Sequence, residues 1–227
     1  MALATFKDLC VDAVDPSALG SFWGRVLHLD LHVDAAGDAS LTGPSAAHTV
    51  WVNKVPEPKT VKHRVHLDVN AASVAELEAL GALVVDADSF RWVVMADPEG
   101  GEFCVFTRHG EINRRLHEIV IDTHDSAANS HRIAGWWAGV LDAHLVDDER
   151  GFSYVDRIPN APFGSLDFVP VPDPKTVKNR IHLDMTTPDL EALVAAGAEV
   201  LRPRDAEIAW TVMADPDGNE FCAFSPS

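Results

Sequence analysis

Cysteine is scarce in this chain of 227 residues, with only Cys10, Cys104 and Cys222. An odd, sparse set cannot make a disulfide framework and points to a reducing compartment, with the cytoplasm as the default. Basic residues are also few, 18 Lys+Arg against 35 Asp+Glu, for a net charge of −17. That balance repels phosphate backbones and anionic lipid surfaces, so neither a nucleic-acid nor a membrane partner is expected. It favours solubility, or attraction of a cationic ligand. No apolar run approaches the ~20 residues needed to cross a bilayer. The first fifteen residues lack the basic and then apolar segments of a secretory signal. Walker, GxGxxG, GxSxG, CxxC and HExxH signatures are all missing, which removes the chemistries tied to them.

What the chain does have is a repeat. Residues 55–68, VPEPKTVKHRVHLD, return as residues 171–184, VPDPKTVKNRIHLD, with eleven of fourteen positions identical. Residues 92–106, WVVMADPEGGEFCVF, return as 210–224, WTVMADPDGNEFCAF, with eleven of fifteen identical. WGRVL at 23–27 matches WAGVL at 137–141, and LCVDAVD at 9–15 matches IVIDTHD at 119–125 more weakly. The blocks keep their order, so the chain is a tandem duplication. The polar stretch TRHGEINRR, residues 107–115, reads as the linker. The domains are therefore expected at 1–110 and 111–227.

Each half reads β-α-β-β-β twice. A strand over about 6–13 runs into Asp15-Pro16-Ser17, with Asp15 as N-cap and Pro16 at the first helical position. Leu19, Phe22, Trp23, Val26 and Leu27 recur at helical spacing over 17–27. Short strands are expected near 30–34, 39–42 and 48–54. A second unit then has a strand at 61–69, a helix at 71–80 closed by Gly81, and strands near 82–86, 91–95 and 102–106. The second half repeats this with a longer first helix.

Alternation along 61–69 puts Lys62, Arg64, His66 and Asp68 on one face, and Lys178, Arg180, His182 and Asp184 repeat the row. The closing strands carry Glu102, Cys104 and Phe106, then Glu220, Cys222 and Phe224. Carboxylate, thiol and imidazole together suit a divalent metal, while a buried free cysteine also serves as a small hydrophobe. Opening-strand carboxylates at Asp8 and Glu118 are further ligand candidates, whereas Asp12 and Asp122 read as organisers of the following turn. Trp51 and Asn53 lie on a fourth strand where the second half has Asp167 opposite Trp51, so the two cavities are not equivalent. Trp92 and Trp210 add aromatic surface.

The repeated β-α-β-β-β pattern, the KHRVHLD strand and the closing DPEGGEF turn resemble the vicinal oxygen chelate superfamily, which includes glyoxalases, bleomycin-resistance proteins and extradiol dioxygenases. The glyoxalase-like branch is the nearest match. The resemblance spans nearly the whole chain. It implies an α+β fold of tandem domains, each of paired βαβββ units whose curled mixed sheets form a U-shaped cavity. It implies metal ligands at Asp8 and Glu118 (or His117, in a shifted register), and at His66 and His182. It further implies a closing-strand glutamate seven residues after the Asp of the DPxG turn, where this chain has Cys104 and Cys222.

Two functions follow. In the first, the cavity binds a small molecule without the full metal triad, using Trp51, Asn53, Arg64, Trp92, Glu102, Cys104, Arg180, Trp210, Glu220 and Cys222. In the alternative, the protein is a metal-dependent lyase, isomerase or dioxygenase. Zn, Mn, Fe or Ni on Asp8, Glu118, His66 and His182 would then polarise vicinal oxygens, and either histidine would serve as acid or base. A monomer or a homodimer fits both, since a tandem chain can complete within itself what relatives complete by dimerising.

Overall fold

The computed structural model describes residues 2–226. Four βαβββ units follow one another. The first holds β1 (Thr5–Ala13), α1 (Pro16–Leu27), β2 (Asp30–Val33), β3 (Ala39–Thr42) and β4 (Val50–Lys54). The second holds β5 (Val65–Ala71), α2 (Val74–Glu78), β6 (Leu83–Asp86), β7 (Val93–Ala96) and β8 (Glu102–Thr107). The third holds β9 (Leu116–His124), α3 (Ala127–Leu141), β10 (His144–Asp147), β11 (Ser153–Asp156) and β12 (Ser165–Val171). The fourth holds β13 (Ile181–Thr186), α4 (Leu190–Ala195), β14 (Glu199–Arg202), β15 (Thr211–Ala214) and β16 (Glu220–Phe224).

The α+β units build two mixed sheets of eight strands, and each sheet draws on both halves of the chain. The first sheet runs β14-β15-β16-β13-β1-β4-β3-β2, joining the first unit to the fourth. The second runs β10-β11-β12-β9-β5-β8-β7-β6, joining the third unit to the second. At each centre two opening strands pair antiparallel, with Cys10 opposite His182 and His66 opposite Val120. Helix period and strand period decide which residues face the core. Asp15 caps α1 by accepting the Ala18 N–H. Buried Leu19, Phe22, Trp23 and Val26 then lie on the inner side of the helix.

Both long helices touch both sheets. Trp23 of α1 meets Phe103 of β8 edge-on at 5.2 Å, while Gly20 and Gly24 bring the same helix onto Leu31 and Leu41 of the first sheet. Trp137 of α3 meets Phe221 of β16 at 5.4 Å in the same manner. Leu9, Val11, Leu67, Val69, Ile119 and Leu183 are all buried in this core. Alternation then sends Asp8, Cys10, Asp12, His66, Asp68 and His182 to the opposite sheet faces.

Two local expectations need correction. The strand expected over 61–69 covers only Val65–Ala71, and its counterpart starts at Ile181. Lys62, Arg64, Lys178 and Arg180 therefore lie in connectors, because their side chains reach across to other units rather than standing in a ladder. The helix expected over 71–80 is a short one over Val74–Glu78, with Ser73 as its N-cap. The two segments 55–64 and 171–180 each carry the chain from one sheet to the other.

Candidate functional site

On the first sheet, β1, β13 and β16 bring Asp8, His182, Asp184 and Cys222 together. Asp8 faces Asp184 across the ladder, and Asp184 lies beside Cys222 in the parallel pair. Cys222 Sγ is 3.4 Å from His182 Nε2, which is 3.6 Å from Asp184 Oδ1. Asp8 Oδ2 accepts from Lys7 Nζ at 2.6 Å and from Trp51 Nε1 at 3.2 Å. Asp8 Oδ1, Asp184 Oδ1 and His182 Nδ1 are buried with no hydrogen-bond partner.

The electrostatics follow from that crowding. Burial, and then the Asp8 carboxylate beside it, push Asp184 up to about 8. Burial, helped by Lys178, pulls His182 down to about 4, so its ring is neutral and free to ligate. Burial and Asp184 push the Cys222 thiol up. Tetrahedral bonds of about 2.0–2.3 Å would set donor atoms roughly 3.3–3.7 Å apart, the spacing seen from Cys222 through His182 to Asp184. A neutral imidazole, a thiol and the Asp184 carboxyl thus fit a divalent cation. Asn53 points its amide at Cys10 Sγ, 2.8 Å away, at the side of this cluster.

The second sheet holds the same residue types in a different state. His66 Nδ1 is 2.5 Å from Asp68 Oδ1, which also accepts the Cys104 N–H at 3.2 Å. Burial disfavours the His66 cation, but Asp68 outweighs it and the pKa is raised. His66, Asp68 and Cys104 are also close enough for a shared ion, yet here the imidazole and carboxylate satisfy each other. Beside them Glu118 is pushed up to about 8 by burial and then by Asp167 and Asp68. Burial likewise pushes Asp167 up to about 6. Asp167 occupies the place that Trp51 has on the first sheet, next to Val120 as Trp51 is next to Cys10.

Other residues singled out from the sequence have structural partners. Glu102 accepts from Lys59 Nζ and the His63 N–H, and Glu220 accepts from Lys175 Nζ and the Asn179 N–H. Each glutamate so clamps one connector. Arg64 donates to the carbonyls of Asp173 and Asp122, and Arg180 to those of Glu57 and Asp12. Asp12 and Asp122 do not organise turns; they pair with Lys178 and Lys62. Trp92 packs on Phe106, and Trp210 on Phe224, on the two closing strands.

Sequence reasoning put the chemistry on the histidines and passed over Asp68 and Asp184, although both stand in the repeated polar row. It also missed Lys7, whose ammonium lies 4.5 Å above the Phe224 ring as well as on Asp8. No motif marks Lys7, because only the fold brings β1 beside β16's neighbour.

The family model described as Glyoxalase-like domain matches residues 8–106 and again residues 118–224. No curated protein matches the chain in sequence. Among solved structures, glyoxalase I from Zea mays superposes with a TM-score of 0.70 at 12% identity, over 98% of this chain and 92% of that one. A putative dioxygenase from Bacillus subtilis superposes with a TM-score of 0.64 at 13% identity, over 99% of this chain and 86% of that one. At such identities the likeness concerns the fold.

Proposed function

This chain belongs to the glyoxalase-like domain family, and from that premise we propose that its first sheet binds a divalent cation together with a small oxygen-bearing molecule. The observation that carries this reading is the close cluster of His182, Asp184 and Cys222, with idle, buried carboxyl oxygens on Asp184 and on Asp8 beside it. Leaving such buried carboxyl oxygens unpaired costs about 1–3 kcal/mol each, and a cation seated on His182 Nε2 and Cys222 would satisfy the one on Asp184. His182, Asp184 and Cys222 would hold it, with Asp8 as the fourth donor. The mixed S, N and O donors favour Zn among Zn, Mn, Fe and Ni. When bound, the cation would act as a Lewis acid on the ligand's vicinal oxygens, the chemistry of a lyase, isomerase or dioxygenase.

This chain's own residues have further parts in that reading. Lys7 orients the Asp8 carboxyl through its 2.6 Å contact. Trp51, 42% exposed, offers an aromatic wall at the ligand's side. The second sheet supports a second reading, as a small-molecule site working without metal. There His66 carries a proton held against Asp68 and would give or take it from a bound ligand.

Elemental analysis of untagged protein, with thermal unfolding in added Zn, Mn, Fe or Ni, tests the reading. We expect one equivalent of metal, lost in His182→Ala and Asp184→Asn but kept in His66→Ala. Saturating metal at a hundred times its Kd should add about 2.7 kcal/mol. Metal-free protein that no divalent ion stabilises would overturn it.

A further inference from the structure

The best-preserved block of the repeat does more than open two strands. Its first ten residues in each half, 55–64 and 171–180, are the connectors, and they face each other across a cleft of about 980 Å³. The cleft is lined almost symmetrically by repeat-equivalent residues: Val61 and Val177, Pro58 and Pro174, and Lys62 and Lys178. Each arginine ties its own connector to the other, Arg64 to the Asp173 carbonyl and Arg180 to the Glu57 carbonyl, both at 2.6 Å. Eight of the ten connector positions are identical; the lysines and arginines among them have the clamping partners described above, but Pro58, Val61 and their equivalents have none and line the cleft.

The chemistry of the walls indicates what would enter. Val61 and Val177 are 41% and 45% exposed and present apolar surface to the cleft. The ion pairs beside them are lopsided. Lys62 is 60% exposed while its partner Asp122 is 4% exposed, and Lys178 is 59% exposed while Asp12 is 8% exposed. A visitor to the cleft meets two exposed ammonium groups, each held by a more deeply buried aspartate that also lines it. Glu57 and Asp173 stand exposed in the same lining and would repel a polyanion. The volume is that of a cavity for a drug-sized molecule.

We propose that this cleft binds one apolar-bodied monoanion, at a site separate from those on the two sheets. The anionic group would lie between Lys62 and Lys178, and the apolar body against the paired valines and prolines. Because the cleft is shared by both halves, the chain has one such site, not two.

The probe is 8-anilinonaphthalene-1-sulfonate, an aromatic monoanion whose fluorescence rises on leaving water. Titration should saturate at one equivalent and weaken in high salt. The neutral N-phenyl-1-naphthylamine should bind about tenfold more weakly. The double variant V61D/V177D should lose at least about tenfold in affinity, with its melting temperature unchanged. Should that variant fail to fold, V61S/V177S reads the same surface with a smaller loss. His182→Ala and His66→Ala should bind the probe like the parent. Two equivalents per chain, indifference to the valine variants, equal binding of the neutral probe, or loss on removing either histidine would each overturn the proposal.

Discussion

Asp8 and Asp184, one from the first strand of the chain and one from its last unit, stand directly opposite each other at the centre of the first sheet. Two buried carboxylates in register repel unless a proton or a cation lies between them. Asp8→Asn gives up the partly exposed Lys7 pair, worth about 0–1 kcal/mol, but lifts the repulsion that holds Asp184 up, so it should still raise the stability of metal-free protein by about 1 kcal/mol, and weaken metal uptake by roughly 10- to 100-fold. Urea unfolding with and without chelator, and competition with a chromophoric chelator, measure the two effects. A destabilised metal-free variant would contradict the repulsion.

Glu118 makes stability fall with pH. Its folded pKa, about 8, lies above its ordinary 4.5. The folded state thus favours the protonated form, a contribution complete below about pH 4.5 and lost as pH rises toward 8. Glu118→Gln should match the parent near pH 4.5 and exceed it by on the order of 2 kcal/mol at pH 8. Chemical unfolding across that window reads the difference, and parallel pH curves would rule out the assignment.

Trp23 and Trp137 each donate an indole N–H to a buried turn aspartate, Asp97 at 3.3 Å and Asp215 at 3.1 Å. Each aspartate also accepts two backbone N–H groups of its own turn. Trp137→Phe keeps most of the aromatic packing but leaves Asp215 Oδ2 with only the Asn219 amide at 3.3 Å. A loss of about 1–3 kcal/mol should follow. Asp215→Asn in the same background should recover part of it, measured by denaturant midpoints.

Neither half owns a sheet. Separately produced fragments 1–110 and 111–227 should each expose the partnerless edges of two central strands. Alone they should aggregate or self-associate, and together they should copurify as a one-to-one complex. Gel filtration with mass measurement decides this, and two well-folded monomeric fragments would refute it.

Much of the architecture is legible in the sequence. The tandem repeat, the unit order, the Asp15 cap and the helix faces follow from spacing that depends on local geometry alone. The inequivalence of the two sites is visible in Trp51 against Asp167. What local pattern cannot decide is which units pair. The opening strands LCVDA, VHLDV, IVIDT and IHLDM at 9–13, 65–69, 119–123 and 181–185 share an alternation and an aspartate, so any two would form a plausible ladder. The choice lies with the connectors, and the residues that hold them, Glu102, Glu220, Arg64 and Arg180, look from the sequence like site residues. His63 shows the same limit. Its buried ring lacks partners and lies so close to Gly101 that a Cβ there would fall 2.7 Å from it. The other half instead pairs Asn179 with Asn219. The two substitutions make sense only together, and only once the contact is known.

The crossed pairing also sets an order of assembly. The second sheet is made from consecutive units, so it can close while the rest of the chain is still being synthesised. The first sheet cannot, because β1 leaves the ribosome long before its partner β13, with the whole second sheet's strands made in between. Its closure spans the longest loop the chain offers and carries the largest ordering cost. The cluster around Asp8 and Asp184 is therefore the last part of the molecule to exist, and a chain cut short near its end would keep one site and never form the other.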